Sequence, residues 1–179
     1  MKNNLEIEIK VLEINKKELE KKLQKIGAQK IFSNKKIIQE NYNNKDLKKR
    51  KTSLRIRQLD KEIYVTYKEF KDTKHNVKNC KEIEFQVSSD FRTIQNLFKL
   101  LGLTCYQKIE KQRTSYTLGN ITFDIDTITK PVKIPTYFEI EAKDHKTIEK
   151  TLQLLGIPKG KVKAWGTKQL LDYYKKLNL

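Results

Sequence analysis

Six short motifs set chemically active residues two positions apart: Glu6-x-Glu8-x-Lys10, Arg55-x-Arg57, Glu82-x-Glu84, Lys111-x-Arg113, Asp124-x-Asp126 and Glu139-x-Glu141. Lys68 stands in a further alternating run. In an extended chain, residues two apart point to one face, so each motif delivers its charges side by side. Paired carboxylates repel one another unless a cation joins them. Mg²⁺ suits that role, being hard, octahedral and commonly held by one or two carboxylates plus phosphate oxygens. Guanidinium forks and lysine ammonium groups grip the remaining phosphate oxygens. Acids and bases in this pattern describe a site for a linear triphosphate with its divalent cation. A protein that bound only nucleic acid would have little use for the acids.

The motifs sit in runs that alternate apolar with polar residues, as half-buried strands do. Leu5, Ile7, Ile9 and Val11 oppose Glu6, Glu8 and Lys10; Leu54 and Ile56 oppose Arg55 and Arg57; Phe123 and Ile125 oppose Asp124 and Asp126. Residues 109–118 and 121–128 predict a hairpin turning at Gly119-Asn120, and a further strand is expected near residues 30–42. Three times a strand opening on Glu-Ile-Glu passes into an amphipathic helix closed by glycine, at Gly27, Gly102 and Gly156. Asn15 is placed to cap the first of these helices, and Ser89 or Asp90 the second. A fourth helix is expected over 167–176, and 71–79 reads as a polar loop. Amphipathic helices need an apolar surface to cover, so the apolar strand faces must look out at them and the charged faces inward. The expected fold is α+β, as one domain over residues 1–179: about eight mainly antiparallel strands closed into a barrel, with a charged lumen and the helices packed outside. A barrel of that size holds one small ligand.

The chain of 179 residues carries 39 Lys and Arg against 22 Asp and Glu, a formal net charge of +17. Such a balance favours polyanions. Only five of the cations are arginine, and three of them, Arg55, Arg57 and Arg113, fall at matched strand positions. No apolar run approaches the ~20 residues of a membrane span, and residues 1–10 lack the apolar stretch of a secretory signal. A cytoplasmic protein is expected. Cys80 and Cys105 have no motif spacing, and His75 and His145 stand apart, which argues against a disulfide framework, a zinc site or a histidine triad. The competing reading, a non-catalytic polyanion or RNA binder, predicts steep salt dependence and indifference to the strand-face carboxylates.

At these same residues the chain resembles the CYTH superfamily, the triphosphate tunnel metalloenzymes. Glu6-x-Glu8-x-Lys10 is similar to the superfamily's ExExK signature. Leu54-Arg55-Ile56-Arg57, Thr66-Tyr67-Lys68, Glu82-Ile83-Glu84, Lys111-Gln112-Arg113, Ile125-Asp126 and Phe138-Glu139-Ile140-Glu141 follow in the family's order. The resemblance implies metal binding by Glu6, Glu8, Asp126, Glu139 and Glu141, with Glu82, Glu84 and Asp124 completing an acidic lining. It implies a phosphate clamp of Lys10, Arg55, Arg57, Lys68, Lys111 and Arg113, with Mg²⁺ or Mn²⁺ as cofactor. Glu6, Glu8 and Lys10 are the expected catalytic residues, Lys10 being a proton acceptor if neighbouring cations lower its pKa. Departures occur at Lys81, where Arg is common, at Glu69, where Gly is common, and at Gly166-Thr167 in place of a Ser-Tyr pair. Residues 109–113 with Tyr116 resemble the corresponding strand of bacterial class IV adenylyl cyclases. Conversion of ATP to 3′,5′-cyclic AMP is therefore expected, with hydrolysis of tripolyphosphate, thiamine triphosphate or a nucleoside triphosphate as the alternative. The expected partner is a nucleoside or inorganic triphosphate, without membrane or nucleic acid, and a homodimer is one expected state.

Overall fold

The computed structural model describes residues 5–74 and 77–177. The chain runs β1 (Leu5–Val11), α1 (Lys16–Lys25), β2 (Gln29–Asn43), α2 (Lys45–Lys49), β3 (Thr52–Leu59), β4 (Glu62–Lys74), β5 (Val77–Val87), α3 (Phe91–Leu100) and β6 (Thr104–Leu118). It continues through β7 (Ile121–Lys130), β8 (Tyr137–Ala142), α4 (His145–Leu154), β9 (Val162–Lys163) and α5 (Thr167–Lys176). Antiparallel neighbours follow the order β5-β4-β3-β2-β6-β7-β8-β1, and β1 pairs again with β5. Eight strands thus close on themselves. In the closing pair Leu5 lies opposite Lys81 and Glu8 opposite Lys78, while on its other side β1 sets Ile7 against Ala142 and Val11 against Phe138.

Helices cover the outward strand faces, which is why those faces are apolar. Leu19 and Leu23 of α1 and Ile148 and Leu152 of α4 pack on Ile7, Ile9, Phe123, Ile125, Phe138 and Ile140. The Phe123 and Phe138 rings stack with centroids 5.9 Å apart. Leu47 of α2 and Ile94 and Phe98 of α3 cover Ile56, Ile63 and Val65, with Tyr42 edge-on to Phe98 at 5.2 Å. Burying each such side chain stabilises the fold by about 1.5–3 kcal/mol. The fifth helix behaves differently. Leu170, Leu171 and Tyr174 pack on Ile128 and Tyr137, which share strand phase with Asp126 and Glu139. Helix α5 therefore lies over one end of the lumen instead of along the wall.

The three strand–helix–glycine units form as expected. Gly27, Gly102 and Gly156 take φ of 84°, 70° and 63°, a region that side-chain-bearing residues enter only with strain. The N–H after each glycine returns to the helix, from Ala28 to the Leu23 carbonyl, Leu103 to Phe98 and Ile157 to Leu152, each at 2.9 Å. The Glu18 N–H donates to the Asn15 side chain at 3.3 Å. Asp90, not Ser89, caps α3, accepting from the Thr93 N–H at 2.9 Å. Asp90→Ala is expected to destabilise the protein by about 1 kcal/mol, read as a lower urea midpoint; an unshifted midpoint would show that the cap contributes nothing.

Two features differ from expectation. The polar stretch 71–79 is strand, with β4 running to Lys74 and β5 starting at Val77, although residues 75 and 76 lie outside the described set. Lys78 of this stretch lies on the cavity wall. The short helix α2 was hidden in a lysine run whose one buried residue is Leu47; Asn44 caps it, accepting from the Leu47 N–H at 2.9 Å. Among the described residues no helix is long and apolar enough to cross a membrane.

Candidate active site

All eight barrel strands turn one face inward onto a cavity of ≈ 500 Å³, and seven of these faces carry charge. Among the described residues, nine cationic and six acidic side chains line it. Lys10, Arg55, Arg57, Lys68, Lys111 and Arg113 are all on its wall, as are Glu8, Glu82, Glu84, Asp124, Glu139 and Glu141. Glu6 stands on β1 opposite Cys80, but its side chain lies outside the described residues.

Two ion-pair networks organise the lumen. In the first, Arg113 is the hub. It pairs with Asp124, donates to Asp126 through Nε at 2.7 Å and Nη2 at 2.6 Å, and reaches Glu139 at 3.0 Å. Lys111 donates to Asp126 at 2.6 Å. Lys10 bridges Glu139 at 2.7 Å and Glu8 at 2.9 Å, and Lys78 reaches Glu8 at 3.0 Å. In the second network Arg55 and Arg57 share Glu84 at 2.9 and 2.6 Å, the Thr66 hydroxyl donates to Glu84 at 2.6 Å, and Lys68 pairs with Glu82.

Electrostatics differ from residue to residue. Burial alone would strip the Lys10 proton, but Glu139 and Glu8 outweigh it and raise the pKa. Lys10 is therefore held charged, which suits a clamp and removes the expected route to a proton acceptor. Burial and neighbouring Arg55 push Lys68 down, and burial and Arg113 push Lys111 down. Asp126 is fully buried and absent from the cavity wall. Burial opposes its ionisation, yet Arg113 and Lys111 hold its carboxyl far below the usual range. The expectation that Asp126 ligates metal thus meets a carboxylate already occupied by two cations and the Tyr137 hydroxyl at 3.3 Å. Its position fits an anchor for Lys111 and Arg113.

Several lining residues escaped the sequence reading: Lys78, Lys51, Lys168 and the amides Gln39, Asn41 and Gln107. Lys78 was findable, because it continues the phase of Glu82 and Glu84. Lys51 was not, since it belongs to a run of lysines that reads as plain surface.

The family model described as the CYTH domain matches residues 4–174. The chain belongs to the CYTH family. A Methanocaldococcus jannaschii protein named "putative adenylate cyclase MJ0240" is 33% identical over 127 residues, 69% of this chain and 70% of that one. A solved structure of a Pyrococcus horikoshii protein is 26% identical, with TM-score 0.72 over 90% of this chain and 96% of the other. A Hippeastrum protein, described as an adenylyl cyclase candidate with a dominant triphosphatase activity, shares the fold at 18% identity and TM-score 0.54, covering 90% and 91% of the two chains.

Whether these CYTH residues fit a divalent cation turns on Glu141. Among the described residues no cation bonds it, and it lies across from Glu8 on the neighbouring strand. Burial, with Glu82 and Glu8 close by, pushes its carboxyl up to about 7. Uncompensated negative charge on hard oxygen donors is what a divalent cation relieves, so the donor chemistry fits. Among the described residues no three such side chains already converge as a finished metal site.

This raised value has a measurable sign. Between the ordinary glutamate pKa of about 4.3 and the folded value of about 7, the folded state keeps a proton that the unfolded state has lost. Stability therefore falls as pH rises through that window. In EDTA, Glu141→Gln is expected to melt higher than wild type at about pH 8 and to flatten the profile between about pH 5 and pH 8. A wild-type profile already flat over that range would contradict the assignment.

Proposed function

We propose that this CYTH chain is a divalent-metal-dependent enzyme of triphosphates, and that it converts ATP to 3′,5′-cyclic AMP and pyrophosphate. The observation that carries the proposal is Glu141, a carboxylate that no cation bonds among the described residues and whose pKa is raised, set among cationic side chains in the barrel lumen. Glu8, Glu139 and Glu141, with Glu6 as the expected fourth, would hold Mg²⁺ or Mn²⁺. When bound, that ion supplies charge neutralisation and polarisation at the phosphoryl oxygens.

The chain's own residues do the rest. Arg55 and Arg57 present guanidinium forks to phosphate oxygens, exchanging Glu84 for the substrate. Lys10, Lys68, Lys78 and Lys111 add point charges along the chain of phosphates. The barrel wall limits water around the bound ester, and the clamp orients the α-phosphorus toward the ribose 3′-hydroxyl. Attack forms the new bond from the ribose 3′-oxygen to the α-phosphorus, breaks the bond to the β-phosphate oxygen and releases pyrophosphate, and the 3′-hydroxyl proton passes to water. Catalysis of this kind is mostly positioning and charge stabilisation.

Cyclisation is supported by the name of the Methanocaldococcus relative. Hydrolysis of inorganic tripolyphosphate, thiamine triphosphate or a nucleoside triphosphate is the second reading, following the activity ascribed to the Hippeastrum protein. Residues 1–179 are read as one tunnel domain working in the cytoplasm. The test is product analysis by ion-exchange chromatography with Mg²⁺ or Mn²⁺ across ATP, tripolyphosphate and thiamine triphosphate. Cyclic AMP with pyrophosphate supports cyclisation. Orthophosphate alone establishes the second reading, and ligand binding indifferent to EDTA without turnover supports a bare polyanion binder.

A further inference from the structure

In a lumen of acids and bases, one strip of wall is neutral. Gln39 and Asn41 of β2 and Gln107 of β6 form a row of amides facing the cavity. The Gln39 Nε2 donates to the Asn41 Oδ1 at 3.2 Å, and the Asn41 Nδ2 donates to the Gln107 Oε1 at 2.8 Å. These bonds leave the Gln39 carbonyl oxygen and the Gln107 amine at the two ends of the row. Gln39 and Asn41 are the direct cross-strand neighbours of Arg57 and Arg55, so the strip adjoins the phosphate clamp, roughly 5 Å away across the sheet.

Tyr106 and Phe70 share the cavity wall with this strip. Asn41 pairs with Gln107 but Tyr42 pairs with Cys105, so Tyr106 is the extra residue of a bulge in β6. A regular strand cannot aim consecutive residues into one lumen, whereas a bulge can; Tyr106 and Gln107 both line the cavity. Tyr106 is 45% exposed, and Ser53 shares the cavity wall with it. Phe70 sits on the cavity wall at a second pairing irregularity, where β4 shifts register against β5 between Phe70 and Asp72.

Phosphate calls for cations and a metal ion calls for carboxylates; neither needs amides and rings. A side-chain amide offers one acceptor beside one donor, the complement of the adenine edge, and amide groups of Asn or Gln read adenine in this way. Aromatic faces hold a planar base by stacking. We propose that Gln39, Asn41 and Gln107, with Tyr106 and Phe70, form a nucleobase subsite that selects an adenine nucleoside triphosphate over inorganic tripolyphosphate. The proposal rests on the reading of the lumen as a triphosphate site.

The test is calorimetric titration of the full chain in EDTA with ATP, GTP and inorganic tripolyphosphate, so that no turnover is involved. Tyr106→Ala removes a half-exposed ring with little risk to the fold, and Gln107→Leu keeps the size of its side chain. Each is expected to lower the affinity for ATP relative to tripolyphosphate by about tenfold or more, and Gln107→Leu also to shrink the preference for ATP over GTP. Equal weakening of ATP and tripolyphosphate, or no change in either, overturns the subsite while the triphosphate reading stands. Failure of wild type to bind any of the three, both in EDTA and with Mg²⁺ restored, overturns both.

Discussion

Glu8→Gln is expected to lower turnover by about a hundred- to a thousandfold, the usual cost of deleting one charged group that stabilises a transition state. The substitution preserves shape and removes one negative charge from the cavity wall. Lys10 keeps Glu139 at 2.7 Å, so it stays paired, and Lys78 loses its carboxylate. The melting temperature should fall modestly, since Lys78 is left without that carboxylate, while circular dichroism at the assay temperature stays native, which separates a lost donor from a lost fold. Glu110→Gln serves as the control: that carboxylate pairs with Lys36 and Lys130 near the surface and is absent from the cavity wall. Wild-type turnover in Glu8→Gln at saturating Mg²⁺ would remove Glu8 from the metal assignment.

The second large effect is on stability. Arg113→Ala is expected to cost about 3–5 kcal/mol, because it strands buried carboxylates that shared one partner. Asp124, Asp126 and Glu139 all meet that guanidinium, and Asp126 is wholly enclosed. Arg113→Lys should recover only part of the loss, since an ammonium cannot bridge three acids as a planar fork does. The pH response gives an independent reading. Stranded buried acids titrate above their unfolded values, so the deficit in Arg113→Ala should shrink as pH falls through the acidic range. A urea-midpoint loss equivalent to less than about 1 kcal/mol would mean that the hub is dispensable.

Much of this architecture was legible because local chemistry and global fold agree. Gly27, Gly102 and Gly156 each announced the end of a helix, and each sits at positive φ. The spacing of Arg55 with Arg57, and of Glu139 with Glu141, told which faces carry charge. The demand of amphipathic helices for cover told which way those faces point. What stayed hidden depends on contacts between distant segments. Nothing near Asp126 in the chain reveals that Lys111 and Arg113 will claim both its oxygens. Nothing near Tyr106 reveals a bulge, which exists only relative to its partner strand. Helix α5 reads as an ordinary amphipathic segment, and only the packing of Leu170 and Tyr174 on Ile128 and Tyr137 places it over the lumen's end.

The closing of the barrel through β1 has a consequence for biosynthesis. Strand β1 is made before its partners and is among the last of the barrel strands to be satisfied, since Leu5 must wait for Lys81 and Ile7 for Ala142. Contacts so far apart along the chain make for slow, late ordering. A nascent chain released before β8 would already own both arginine motifs and still lack the wall that gathers them, so ligand capture should switch on only once β8 has been made.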